Sequence, residues 1–167
     1  MPPATEEDLM ARLIELDIQT VTHRHAAVFT VEESRALRGD LPGGHCKTLF
    51  LRDKKRNPWL VVALEDRVID LKALTKAIGA KRLSFGSVEL LWEVLGVSPG
   101  AVTRFALING GGAPVKVVLD KGMLDLDPLN YHPLHNEATT AIAPEDLVRF
   151  VRAMGFEPLI IDFEALV

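Results

Sequence analysis

Gly43-Gly44-His45-Cys46-Lys47-Thr48-Leu49-Phe50-Leu51-Arg52-Asp53 carries a single lysine into a strongly apolar strand, directly behind two glycines. Leu49, Phe50 and Leu51 supply the uninterrupted apolar run of a buried β-strand. The glycines before them permit a close backbone approach that any side chain would block. Beyond the strand, Asp53-Lys54-Lys55-Arg56-Asn57-Pro58 is a charged turn, and residues 59–64 are apolar again. Strands at 47–52 and 59–64 are therefore expected to pair as a hairpin. A cation at the mouth of such a strand faces water or a ligand that comes close to the main chain. On its own, a solvated strand-edge charge is the simpler reading of Lys47.

Working outward, Thr5 followed by Glu6, Glu7 and Asp8 has the form of a helix N-cap with acids in the first turn. Leu9, Leu13, Ile14 and Leu16 then make one apolar face. Residues 19–25 read as a half-exposed strand, and Thr30-Val31-Glu32-Glu33 as a capping box opening a short helix that ends near Gly39. A short strand is expected at Val68-Ile69-Asp70, with a helix over 71–79 stopped by Gly79. Ser87 caps a further helix carrying Val88, Leu90, Leu91, Val94 and Leu95. Strands are expected at 104–109 and 115–119, across the Gly110-Gly111-Gly112-Ala113-Pro114 loop. A polar, proline-broken stretch covers 125–136, followed by a strand at 138–142. Pro144 opens a helix to Met154, Gly155 stops it, and Leu159 to Phe163 closes as a strand. Strands and helices mix without regular βαβ alternation, so a doubly wound parallel sheet is not expected. The expectation is one mixed α/β domain over residues 1–167.

Composition narrows the function. With 167 residues, 48% of them hydrophobic and 25% charged, the chain has material for one real core and an ordinary globular balance. A net charge of −4 argues against coating nucleic acid by bulk electrostatics, and no DNA-reading helix is recognisable. A local patch that grips one RNA end remains compatible with it. The single cysteine, Cys46, leaves no internal disulfide. The N-terminal residues lack the basic and apolar regions of a signal peptide. No apolar run approaches the roughly 18 residues of a spanning helix. A soluble, cytoplasmic protein without a membrane partner is expected.

Three segments carry a family resemblance. The lysine segment resembles the motif of the YbaK-type aminoacyl-tRNA deacylases, free-standing relatives of the editing domain of bacterial prolyl-tRNA synthetase. Gly96-Val97-Ser98-Pro99-Gly100 resembles that family's glycine-to-proline loop, with Val102 to Asn109 similar to the strand after it. His132-Pro133-Leu134, with Asn136 and the run Ala138 to Ile142, resembles its late active-site segment. The likeness spans roughly Val21 to Phe163. It is nearest to the branch that clears alanine from mischarged proline tRNA. One departure stands out: many relatives have Asn after the motif lysine, where this chain has Thr48, which keeps a hydroxyl but loses the amide's separate donor and acceptor.

The resemblance implies a YbaK-like fold, a central mixed, largely antiparallel sheet flanked by helices. It also implies hydrolysis of an ester between an amino acid and the terminal ribose of tRNA, passing through a tetrahedral oxyanion that needs positioned donors. Lys47 takes the electrostatic role, Gly96 a backbone contact and His132 a supporting polar role. Thr48, Pro99, His45 and Asn136 shape the substrate pocket. Arg52, Lys54, Lys55 and Arg56, with Lys81 and Arg82, are the candidates for tRNA phosphate contacts. The implied partners are aminoacylated proline tRNA and prolyl-tRNA synthetase.

No cofactor is implied, and no metal. His23, His25, His45, Cys46, His132 and His135 match no standard zinc spacing. Cys46 reads as a small, partly buried thiol, since alternation turns 46 and 47 to opposite faces. Local readings compete with the functional ones: Gly96 and Pro99 also suit a plain helix stop, His132 a loop tie, and the basic turn a solvated charge run. Two rival functions stay open, deacylation of another small residue such as cysteine or serine, and a non-catalytic module that binds tRNA or the synthetase.

Overall fold

In the computed structural model, which describes residues 4–24, 44–97, 105, 107, 115–131, 133–134 and 138–165, the expected hairpin forms the centre of the sheet. Strand β2 (Gly44–Arg52) pairs antiparallel with β3 (Pro58–Leu64), from Cys46 opposite Leu64 to Arg52 opposite Pro58. Asp53 builds the turn between them: its Oδ1 accepts the N–H groups of Lys55 and Asn57, both at 2.9 Å. A short acceptor next to its own backbone is what makes Asp a turn residue.

Around this hairpin the order is β1-β7-β6-β2-β3-β5-β8. The members are β1 (Thr20–Arg24), β5 (Lys116–Asp120), β6 (Leu129–Tyr131), β7 (Ala138–Ile142) and β8 (Leu159–Ile161). The pairs β1–β7, β7–β6 and β2–β3 are antiparallel, whereas β6–β2, β3–β5 and β5–β8 are parallel. A two-residue β4 (Ser84–Phe85) adds a fourth antiparallel pair beside Leu51 and Arg52 of β2. The edge of β2 away from β3 is thus shared, by β6 at Gly44–His45 and by β4 at Leu51–Arg52. This is the mixed, largely antiparallel sheet that the sequence implies.

Among the described residues, four helices flank it. Helix α1 (Glu6–Glu15) starts at a capping box in which Thr5 and Asp8 exchange hydrogen bonds. Helix α2 (Leu71–Ala77) is capped by Asp70, α3 (Val88–Leu95) by Ser87, and α4 (Pro144–Ala153) begins with Pro144 at its first position. Strand alternation divides the core in two. Phe50, Leu60, Val62, Val117 and Leu119 meet Leu9 and Leu13 of α1, Leu91 and Leu95 of α3, and Leu147, Phe150 and Val151 of α4. Leu51, Trp59, Val61 and Val118 point to the other face and pack with Leu74 of α2, Leu83 and Phe163. Burial of β3 from both sides explains its unbroken apolar run.

The structure corrects several local expectations. Val68-Ile69-Asp70 is not a strand: Val68 is 99% exposed, and Asp70 spends its carboxylate on the N–H groups of Lys72 and Ala73. A side chain that competes for local backbone donors favours a helix start over a ladder. Phe105 and Leu107, the described members of the expected strand 104–109, have 3-10 geometry and are fully buried. The strand at 115–119 does not enter a local hairpin; β5 lies between β3 and β8, parallel to both. The last strand stops at Ile161, and Phe163–Ala165 turns into a 3-10 helix. Ile14 leaves the apolar face of α1 and is exposed. The helix expected from Thr30 to Gly39 lies outside the described residues.

Candidate active site

Lys47 stands in the N-terminal half of β2, opposite Ala63. Side chains two residues apart on a strand share a face, so Lys47 lies with His45 and with Leu49 and Leu51, on the side of the smaller core cluster. Thr48 is turned to the opposite side with Cys46 and Phe50, which pack against the larger cluster. The lysine and the residue after it in the motif therefore serve different faces of the sheet. Cys46 is half-buried against that larger cluster, a packing thiol.

The Lys47 ammonium donates a hydrogen bond to the backbone carbonyl of Arg67. Partial burial lowers the Lys47 pKa from the ordinary lysine range, with Asp66 and Glu65 opposing the shift. These three partners belong to one turn, Leu64 to Arg67, which follows β3. Its geometry is held by Glu65 N–H donating to His45 O at 3.0 Å and Arg67 N–H to Leu64 O at 3.1 Å. Beneath the turn lies Asp120, the last residue of β5 and fully buried. Its Oδ2 accepts from Leu64 N–H at 3.1 Å and Arg67 Nε at 2.9 Å. Its Oδ1 accepts from Gly122 N–H at 3.0 Å and Arg67 Nη2 at 3.4 Å. Hydrogen bonding to Asp120 is the main cause that raises the Arg67 pKa above its ordinary value, with Glu164 adding to it. Gly122 makes room for this arrangement, because a methyl group on it would come within 2.4 Å of Arg67 Nη2.

Gly44 fulfils the expected close approach, but what approaches is the chain itself. A side chain there would meet Leu126 and Leu129 at 3.0 Å, and the Gly44 N–H donates to Pro128 O at 2.8 Å. Asn130 completes the join by donating from Nδ2 to Gly44 O at 3.1 Å. Strand β6, which ends one residue before His132, thus runs beside the segment that leads into Lys47. His132, Pro99 and Asn136 themselves lie outside the described residues.

Gly96 caps α3 in the left-handed conformation, φ +64°, with its N–H given to Trp92 O at 2.9 Å. Gly takes that geometry at the least cost, having no Cβ. A Gly96 contact with a substrate accordingly has to come from its carbonyl. Helix α3 packs on the larger cluster, across the sheet from the face that holds Lys47.

The two basic segments, by contrast, come together. Lys54 N–H donates to Lys81 O at 2.7 Å, and Arg52 lies opposite Ser84, two residues after Arg82. Arg52, Lys54, Lys55, Arg56, Lys81 and Arg82 therefore cluster at the far end of β2, five residues from Lys47, or about 17 Å at the rise of a strand. Sequence reasoning passed over Arg67, Asp120 and Gly122. The available signal was an aspartate closing the wholly apolar run Val117-Val118-Leu119.

A family model described as an aminoacyl-tRNA editing domain matches residues 25–150. A mouse prolyl-tRNA synthetase associated domain-containing protein 1 is 40% identical over 162 residues, covering 94% of this chain and 95% of the relative. The prolyl-tRNA editing protein ProX of Acetoanaerobium sticklandii is 38% identical over 151 residues, covering 90% and 92%. Among solved structures, one described as a candidate trans-editing enzyme for prolyl tRNA synthetase superposes with a TM-score of 0.71 over 95% of this chain and 96% of that one. Its 18% identity makes that a likeness of fold.

Proposed function

Because the chain belongs to the aminoacyl-tRNA editing domain family, we propose that it hydrolyses mischarged aminoacyl-tRNA in trans, with alanyl-tRNA for proline as its substrate. The observation that carries this reading is the Lys47 ammonium, half-buried and held by a main-chain carbonyl. A cation in a partly desolvated position acts more strongly on a developing negative charge than one in open water.

In the proposed reaction, water adds to the ester carbonyl and the oxyanion forms beside Lys47. The bond to the terminal ribose oxygen then breaks, and the proton lost by the attacking water ends on that oxygen. Free alanine and tRNA leave. An ammonium has three N–H donors, so the bond to Arg67 O occupies one third of its capacity. His45, on the same face as Lys47, His132 and Asn136 serve as polar contacts to the substrate. Pro99 shapes the pocket, whereas Thr48 and Gly96, which belong to the opposite side of the sheet from Lys47, support the site from behind rather than touching the ester. The basic cluster at the far end of β2 receives the phosphates of the acceptor arm, a span of about 17 Å along the strand. Prolyl-tRNA synthetase is the partner that supplies the mischarged tRNA.

Selection works by exclusion. A synthetase discriminates poorly against a smaller amino acid, since one methylene is worth only about 1–3 kcal/mol. A second pocket that admits alanine and refuses the proline ring protects the correct product.

A second reading, a non-catalytic module that binds tRNA or the synthetase, draws on Thr48, which lacks the amide of many relatives. Deacylation of cysteine or serine esters draws on the same residue. The deciding experiment is a deacylation time course on alanyl-, prolyl- and cysteinyl-tRNA with the native protein and Lys47→Ala. Loss of alanine alone, abolished in the variant, is the expected result. Tight tRNA binding with no hydrolysis of any ester would replace the enzyme with the binding module.

A further inference from the structure

Resting on the reading of Lys47 as the acting cation, we propose that Arg67 and Asp120 are positioning residues that set the Lys47 ammonium against the substrate ester. One carboxylate clamps both ends of the turn that receives the lysine: Asp120 Oδ2 takes the Leu64 N–H where the turn begins and Arg67 Nε where it ends. Arg67 then acts with two of its parts. Its guanidinium is locked to β5 through Asp120, and its backbone carbonyl is the acceptor for Lys47. The position of the ammonium is thereby referred to the centre of the sheet through one residue.

Local energetics do not require such a construction. An ion pair with a fully buried carboxylate loses much of its attraction to desolvation, and apolar side chains of similar volume commonly serve stability as well. What the pair supplies is direction. A planar guanidinium held at two nitrogens has little freedom to swing, and its own carbonyl is held with it. A second feature points the same way. Gly122 has φ −65°, a conformation open to any residue, yet a methyl group there would collide with Arg67 Nη2. The space beside the guanidinium is kept clear without any demand from the backbone.

The test compares the native protein with Arg67→Met, Arg67→Lys, Gly122→Ala and Lys47→Ala. Each is measured for single-turnover deacylation of alanyl-tRNA for proline and for binding of uncharged tRNA. The proteins that keep Lys47 are also lysine-labelled for the NMR titration of its ammonium, with Lys47→Ala identifying the signal. A misplacement of about 1 Å costs on the order of 100-fold in rate. Arg67→Met is therefore expected to lose about 10- to 100-fold in turnover, with tRNA affinity held and the Lys47 titration displaced. Gly122→Ala and Arg67→Lys should show smaller losses in the same direction, and they decide the matter if Arg67→Met does not fold. Native turnover in all three, or a loss of turnover with the Lys47 titration unmoved, overturns the proposal. Full activity in Lys47→Ala would instead sink the catalytic reading of the lysine, and the NMR arm would still report whether Arg67 governs its surroundings.

Discussion

The two ends of β2 both display cations, and they are built on opposite physical plans. At the Arg52 end, Arg52, Lys54, Lys55 and Arg56 sit on or beside a turn organised by Asp53 within five positions of sequence, and Lys81 and Arg82 join them from one neighbouring segment. Burial pulls the Asp53 carboxyl upward, but hydrogen bonds from Asn57 and Lys55 prevail and leave it below the usual aspartate value. At the Lys47 end, one lysine is held by residues 20 and 73 positions further along the chain. The first end offers charge in numbers and leaves direction free. The second offers one charge in a set place. Grip on a polyanion needs the first plan, and stabilisation of one developing oxyanion needs the second.

The largest effect that sharpens this contrast is on stability. Asp120→Ala leaves Arg67 without its buried partner and the Leu64 and Gly122 N–H groups without their acceptor. It should cost about 3–5 kcal/mol in urea unfolding, whereas Asp53→Ala at the exposed turn should cost about 1 kcal/mol. Equal losses would erase the distinction between the ends.

Next comes turnover. Lys47→Ala is expected to lower the deacylation rate about 100- to 1,000-fold, the usual loss on removing an oxyanion donor. Neutralising Lys54, Lys55 and Arg56 to Gln should leave turnover at saturating tRNA unchanged. It should weaken tRNA binding instead and flatten its dependence on salt, by about one unit of slope for each phosphate no longer neutralised. A rate defect in the turn variants with a normal salt slope would break the division of labour.

The smallest effect is on pH dependence. The Lys47 pKa lies below the ordinary lysine value of 10.5 in the folded protein. Between those two values the unfolded chain binds the extra proton, so stability rises with pH there, while the cation that the reaction needs is lost. Enzymatic deacylation, corrected for spontaneous ester hydrolysis, should therefore fall before pH 10.5, and the stability rise should vanish in Lys47→Met. An alkaline limb that matches free lysine would place Lys47 in open solvent.

Legibility in the sequence follows the range of the interaction that does the work. The caps at Thr5, Ser87 and Pro144 and the Asp53 turn were readable because each is decided within about four residues. The short strands β4 and β6 were not. Ser84–Phe85 and Leu129–Tyr131 are extended because β2 offers them unpaired backbone groups, and nothing in their own residues announces it. The same holds for the parallel pairing of β5, whose neighbours come from residues 59–62 and 159–161. At the site, the order of the motifs disclosed Lys47 and its family. Strand alternation, equally local, already separated Lys47 from Cys46, and applied to Thr48 it also turns that residue away from the lysine, against its expected place in the same pocket.

Chain order and side-chain chemistry were enough to find the central hairpin, the helix starts, the family and the lysine of the proposed site. Tertiary structure alone decided what holds that lysine. The carbonyl of Arg67 reaches Lys47 only because β3 returns beside β2, and Asp120 reaches Arg67 only because β5 runs parallel to β3. Hydrogen bonds within a turn are set by a few adjacent dihedral angles. A buried ion pair between separate strands exists only after the sheet has brought them into register and taken the water away.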